Sequence, residues 1–220
     1  GTFQTNGLAN LVFTNDFAVT SSGGILDVNG TVLTLSGTIS DLGGGGFVKV
    51  TDSSGSFGTA VLSGNNTYTG GTNVTDATVR VTNGSSVGTG LVLLNHGTFQ
   101  ADGLSDLTFT NDVSLSAAGG TVDNNGTVLT LSGVIADAGG PGALTIIDSS
   151  GGSGTTVLAG NANTFSGGLN VFGARVRAMD APHHAAGRAG RERAHAPRER
   201  LRAHHPDADH DPEHDRHREQ

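Results

Sequence analysis

The side chains able to do chemistry are few and scattered. Residues 1–174 contain eleven aspartates, two basic side chains (Lys49 and Arg80) and one histidine, His96. Glycoside hydrolysis needs two carboxylates held several Å apart, and a lyase needs a basic residue or a cation-binding acidic cluster. No two of these aspartates are adjacent. Asp16, Asp41 and Asp52 recur as Asp112, Asp137 and Asp148 beside turns, where a carboxylate commonly accepts backbone N–H bonds. A turn role is therefore expected, in preference to a catalytic or calcium-binding one. His96 lies in NHGTFQ with Asn95 and Asp102 as its nearest candidate partners, and neither completes a nucleophile arrangement. The run Gly43–Gly46 lacks the Lys and the following helix start that a phosphate cradle requires, since strand-like FVKVTD comes next. It reads as a flexible loop. No catalytic, cofactor-binding or metal site is assigned, and no cofactor is expected.

The elements that would position these groups are short strands. TVLTLSG, FVKVTD, TAVLSG and TVRVTN alternate aliphatic or β-branched residues with polar ones, the period-two pattern of strands. GG, NG, DG and SG pairs separate them, where Gly and Asn tolerate positive φ. The chain also repeats itself. GTFQ at Gly1 to Gln4 returns at Gly97 to Gln100, an offset of 96 residues. LANLVFTND pairs with LSDLTFTND, NGTVLTLSGTISD with NGTVLTLSGVIAD, and, after one inserted residue, TAVLSGNNTYTGGTNV with TTVLAGNANTFSGGLNV. With 36 Gly, one Tyr and no Trp, such repetition favours stacked coils over a closed sandwich. Coils of about 24 residues would put four in each unit and about seven in residues 1–174. Regular threonines, as in Thr31, Thr34 and Thr38 or Thr127 and Thr130, hint at an ice-binding face, but Thr is favoured on any exposed strand position. A calcium roll is excluded, because its GGxGxD nonapeptide is missing.

LSGNNTYTGGTNV (Leu62 to Val74) and LAGNANTFSGGLNV (Leu158 to Val171) resemble the passenger-associated repeat of bacterial autotransporters. Leu62 and Val74 can point inward, Tyr68 or Phe165 can cover the coil, and Gly70–Gly71 or Gly167–Gly168 can turn it. The resemblance implies an all-β, right-handed, single-stranded parallel β-helix over residues 1–174, carried across the outer membrane by a C-terminal β-barrel. The alternating segments of such a barrel are not found in this sequence. The chain opens inside a repeat unit, so it is read as a piece of a longer product.

Residues 175–220 differ in kind, holding ten of the twelve basic residues with many His, Asp and Pro. Such a composition buries no core and predicts a disordered tail. His204, His205, Asp207, Asp209, His210, Asp211, Glu213, His214 and His217 are potential metal ligands, but the abrupt change of composition is read instead as a frameshift product. The acidic first part lacks a basic patch, which argues against nucleic acid as a partner, and no apolar stretch approaches the roughly 20 residues of a transmembrane helix. The expected function is structural and adhesive: a passenger segment displayed on, or secreted from, the cell surface, with a host or neighbouring-cell protein or glycan as ligand. The alternative is a fragment of a carbohydrate-active β-helix enzyme. Circular dichroism of recombinant residues 1–174 should be β-rich and unchanged by metals; a mainly helical spectrum would overturn the fold assignment.

Overall fold

A computed structural model describes residues 1–7 and 10–179. The readings of residues 180–220 as disordered, frameshifted or metal-binding lie outside the described residues. Twenty-one short strands wind through eight coils. Coil one holds β1 (Thr2–Gln4), β2 (Leu11–Phe13) and β3 (Phe17–Val19). Coil two holds β4 (Gly24–Asp27), β5 (Val32–Leu35) and β6 (Ile39–Asp41). Coils three and four keep two strands each, β7 (Val48–Thr51) with β8 (Thr59–Leu62) and β9 (Thr72–Thr75) with β10 (Thr78–Val81). Three strands return in coil five, β11 (Val92–Asn95), β12 (Gly97–Ala101) and β13 (Leu107–Phe109), and in coil six, β14 (Val113–Ser116), β15 (Gly120–Asp123) and β16 (Val128–Leu131). Coil seven has β17 (Ile135–Ala138), β18 (Leu144–Ile147) and β19 (Thr155–Leu158), and coil eight has β20 (Leu169–Phe172) and β21 (Arg175–Ala178).

All paired strands are parallel, each lying against its counterpart one coil away. Face one is the sheet β1-β4-β7-β9-β11-β14-β17, and face two is β2-β5-β8-β10-β12-β15-β18-β20. Face three begins with β3-β6 and resumes as β13-β16-β19-β21. Between them the same side is bridged by irregular backbone: Thr67 donates to the Ile39 carbonyl, Asn66 to Ser85, and the Asn111 amide reaches the Gly88 carbonyl. At about 4.8 Å per coil, eight coils span about 38 Å.

Alternation explains the core. Leu33, Ala60, Val79, Phe99, Val122 and Ile146 stack in one inward row of face two, all buried. Their flanking residues point out, as Thr59, Thr78, Thr98, Thr121 and Thr145 do in consecutive coils. The repeated GTFQ and FTND segments bring Phe3 edge-on to Phe13 at 5.0 Å, and Phe99 to Phe109 at 4.9 Å. Polar groups inside are paired. Thr5 and Thr31 each donate a hydroxyl to the Val28 carbonyl at 2.7 Å. In the second copy Ala101, Asn124 and Thr156 replace Thr5, Val28 and Ala60, and the buried Asn124 amide donates to Thr156. No buried side-chain donor or acceptor among the described residues lacks a partner.

Three sequence expectations are corrected. The coils number eight and are unequal: Val61 lies 27 residues beyond its partner Thr34, and Arg80 only 19 beyond Val61. One 96-residue unit therefore spans four coils plus one face, about 22 residues per coil. Thr31 and Thr127 are buried and hydrogen-bonded to backbone carbonyls, so they contribute nothing to a water-facing row. Pairing also runs past residue 174, because Val176 and Arg177 occupy in β21 the places that Val79 and Arg80 hold in β10.

Tyr68 is fully buried and gives its hydroxyl a 2.5 Å contact with the Thr72 Oγ1, whereas Phe165, its counterpart, is only partly covered. Tyr68→Ala should cost about 3–5 kcal/mol in urea unfolding and Phe165→Ala clearly less. Equal losses would contradict this packing.

Candidate functional site

The repeated motif is where the chain leaves strand pairing and substitutes side chains for it. The Asn66 Oδ1 accepts the Ile39 N–H at 2.7 Å, Thr67 N–H donates to the Ile39 carbonyl at 2.9 Å, and the Asn66 amide donates to the Ser86 carbonyl at 2.5 Å. One amide thus stitches three coils. The second copy repeats the first two contacts, with Asn163 on Ile135 N–H and Thr164 N–H on the Ile135 carbonyl, both at 2.8 Å. Leu62, Tyr68 and Val74 point inward and are buried. Gly71 and Gly168 make the following turn at φ 94° and 96°, a conformation that a Cβ would strain.

Asp41 secures this motif to the preceding coil. Its Oδ1 accepts the Gly46 N–H at 2.7 Å, and its Oδ2 accepts the Thr69 N–H at 3.1 Å and the Thr69 hydroxyl at 2.6 Å. Asp137 does the same with Gly142 and Ser166. The Thr69 hydroxyl, helped by the backbone donors, holds the Asp41 carboxyl below its ordinary range, and the Ser166 hydroxyl does so for Asp137. The Gly43–Gly46 loop is fastened at its C-terminal end, where Gly45 N–H is given to Thr69 Oγ1 and Gly46 N–H to Asp41.

Asp52 and Asp148 each close a turn from within. Asp52 accepts from Gly30, from the Ser54 N–H and hydroxyl, and from Gly58. Asp148 accepts from Ser150 twice, from Gly152 and from Gly154. Burial opposes both charges, but these donors outweigh it and depress the carboxyls. Asp16 and Asp112 accept the N–H groups of Thr38 and Val134 one coil on. Sequence reasoning overlooked Asp27 and Asp123, which bind Gln4 and Gln100 at 2.7 and 2.6 Å and the N–H groups of Ser53 and Ser149 at 3.0 Å. Their signal was available in the repeated Gln, Asp and Asn of the two copies.

His96 pairs with neither Asn95 nor Asp102. Its Nδ1 lies 2.8 Å from Asp76 Oδ1, one coil away, and its ring stands edge-on to Phe57 at 5.1 Å. Asn95 instead takes the Ser116 hydroxyl, and Asp102 takes the Leu104 N–H. Phe57, Asp76 and His96 share positive φ, at 56°, 50° and 55°. The dyad is solvent-exposed and stands at a corner of the coil. The apolar cavity at the first described coil, lined by Phe3, Phe17, Val19 and Ile25, contains no titratable side chain. No group of three or more His, Cys, Asp or Glu among the described residues could hold a metal.

Ten of the eleven described aspartates accept backbone N–H groups of turns or neighbouring coils, Asp106 taking that of Val128, and Asp76 faces the His96 ring alone. Because the depressed carboxyls are stabilising when ionised, their contribution is present above the ordinary carboxyl pKa and is lost as pH falls through the lowered values. The urea midpoint should therefore drop on acidification below about pH 4. Asp52→Ala, which orphans several N–H donors, should cost about 1–3 kcal/mol at pH 7 and flatten that acid dependence. An unchanged pH profile in the variant would refute the assignment.

Residues 55–81 and 151–174 match the passenger-associated-transport-repeat family. The chain is 34% identical over 116 residues to the Adhesin BmaC autotransporter of Brucella suis biovar 1 (strain 1330), which covers 52% of this chain and 3% of that protein. The chain thus spans only a small part of the curated relative it matches. No solved structure matches it. No helix among the described residues is long and apolar enough to cross a membrane. The two segments that match passenger-associated transport repeats are built into the parallel β-helix by the same Asn and Asp contacts, and in them the chain is similar to autotransporter passenger regions.

Proposed function

We propose that the chain is a non-catalytic, adhesive segment of a passenger. In its full-length parent it is shown at the cell surface or secreted, following a C-terminal β-barrel translocator. The observation that carries this reading is the use of the carboxylates. Asp41, Asp52, Asp137 and Asp148 accept backbone and hydroxyl donors from turns, and the outward surface is rich in threonine, serine and asparagine, with exposed carboxylates such as Asp76, Asp106 and Asp112 among them. Hydroxyl, amide and carboxylate groups on a stacked solenoid suit display and shape complementarity. The name of the relative, an adhesin, supports the same role. The ligand is a protein or glycan on a host or neighbouring cell.

Beads coated with the folded chain should adhere to host or neighbouring cells, and beads coated with the Tyr68→Ala chain, once urea-unfolded, should not. Absence of binding by the folded chain would count against adhesion. Turnover of acidic glycans that is abolished by Asp52→Ala would restore the enzyme alternative.

A further inference from the structure

Where the second copy of the repeat begins, β12 lies in parallel on β10, with Thr78 opposite Thr98, Val79 opposite Phe99 and Arg80 opposite Gln100. Three side chains form a ladder across this seam. Arg80 Nε donates to Gln100 Oε1 at 2.7 Å, and Gln100 Nε2 donates in turn to Asp123 Oδ2 at 2.6 Å. Val79 and Phe99 beside it are buried. Gly97 admits the strand, because a Cβ there would collide with the carbonyl and side chain of Val74 in β9.

Each half of this seam recurs, unpaired, on one terminal coil. β1 repeats the GTFQ of β12, and β21 holds the place of β10. Among the described residues no strand lies against the outer edge of either. On coil one, Gln4 Nε2 donates to Asp27 Oδ2 at 2.7 Å, which is the ladder without its arginine. On coil eight, Arg177 stands where Arg80 does, with no glutamine opposite it. Phe3 and Val176, which answer to Phe99 and Val79, are only partly buried. Phe3 and Phe17 line the apolar cavity of coil one, whereas their counterparts Phe99 and Val113 are buried. Val171, which answers to Val74, is 42% exposed, and a Cβ on Gly1, which answers to Gly97, would meet nothing. The two ends thus match by type: a cation for a carboxylate-backed amide carbonyl, an aliphatic side chain for an aromatic one, a valine for a glycine.

We propose that coil eight of one molecule docks on coil one of a second copy of this chain, with β1 of the second lying parallel on β21 of the first in the register of β12 on β10. Arg175 then faces Thr2, Val176 faces Phe3, and Arg177 donates to Gln4. Addition to an open strand edge supplies main-chain hydrogen bonds, and the Arg-Gln-Asp ladder fixes the register. The two surfaces are different parts of the molecule, so the contact is heterologous and each docked copy offers a further free end. End-to-end assembly goes beyond the adhesive reading and does not rest on it.

The sequence contains no cysteine, so introduced thiols report the register in the full chain. A Thr2→Cys chain mixed with an Arg175→Cys chain should give a disulfide-linked pair under mild oxidation, since directly opposed residues of parallel strands lie about 5 Å apart at Cα. Thr78→Cys with Thr98→Cys in one molecule is the internal control for that geometry, and Thr2→Cys mixed with Thr34→Cys, a mid-rod position on face two, is the negative control. Sedimentation velocity of the cysteine-free chain should show a mass that rises with concentration beyond that of a dimer. Arg177→Glu should weaken this association about tenfold or more. Val171→Lys, at an exposed position that leaves the ladder intact, should do the same and serves as the test if Arg177→Glu lowers the urea midpoint. A chain that stays monomeric at millimolar concentration would overturn the proposal. So would a Thr2 and Arg175 pair that links no better than the negative control, or an association that neither variant weakens.

Discussion

The structure depends on how closely one coil's backbone can rest on the next at the bend that leads from face two to face three in the first copy and from face three to face one in the second. At that bend the sequence reads Ser-Gly or Ala-Gly: Gly37, Gly64, Gly133 and Gly160. A Cβ on Gly37 would collide with the carbonyl of Asn15, and one on Gly64 with the carbonyl of Gly37. The second copy repeats the crowding, with Gly133 against Asn111 and Gly160 against Gly133. Only a residue without a side chain lets the corner nest deeply enough for the strands on either side to keep parallel register. With that register in place, Leu33 over Ala60 and Leu35 over Leu62 follow as inward rows.

A bend also leaves N–H groups without a strand partner, and in a solenoid every coil multiplies the problem. Here the answer is anionic or amide side chains reaching across coils. Asp16 and Asp112 serve the donor at the same corner in each copy, and Asn66 and Asn163 take over where a regular strand is missing. The coils can therefore differ in length without exposing broken pairs. A 27-residue coil step is followed by one of 19, and the difference is absorbed in the turn that Asp52 closes and in the segment held by Asn66 and Asp41. Electrostatic fastening of this kind is local and directional, which suits a fold whose stability is a sum of neighbouring interfaces.

Much of the fold was legible because its rules are short-ranged. Strand alternation, the inward Leu62, Tyr68 and Val74, the turn at Gly70–Gly71 and the turn role of six aspartates all follow from residue type and spacing. What stayed hidden is of two kinds, pairing across a coil step and the burial of a polar side chain that finds its own carbonyl. His96 finds Asp76 across a coil step, a distance set by stacking and invisible in the local NHGTFQ. Thr31 and Thr127 are inside because each hydroxyl finds a carbonyl three residues back, so a polar residue meets the requirements of a buried one. The number of coils per repeat was misjudged for a related reason. Self-comparison measures where the sequence returns, whereas the register counts how often the chain has gone round, and unequal coils break the link between the two.

The fractional winding bears on how such a chain can lengthen or shorten over generations. In a tandem array, gain or loss of one unit would keep the contacts that the copies share. The coil that follows a duplicated unit nonetheless emerges turned by about a third of a revolution. Copy number therefore changes azimuth as well as length, and only a gain or loss of three units, about thirteen coils, returns a distal feature to its original bearing. Selection on such an array would act on copy number modulo three, a dependence that an integral number of coils per repeat would never produce.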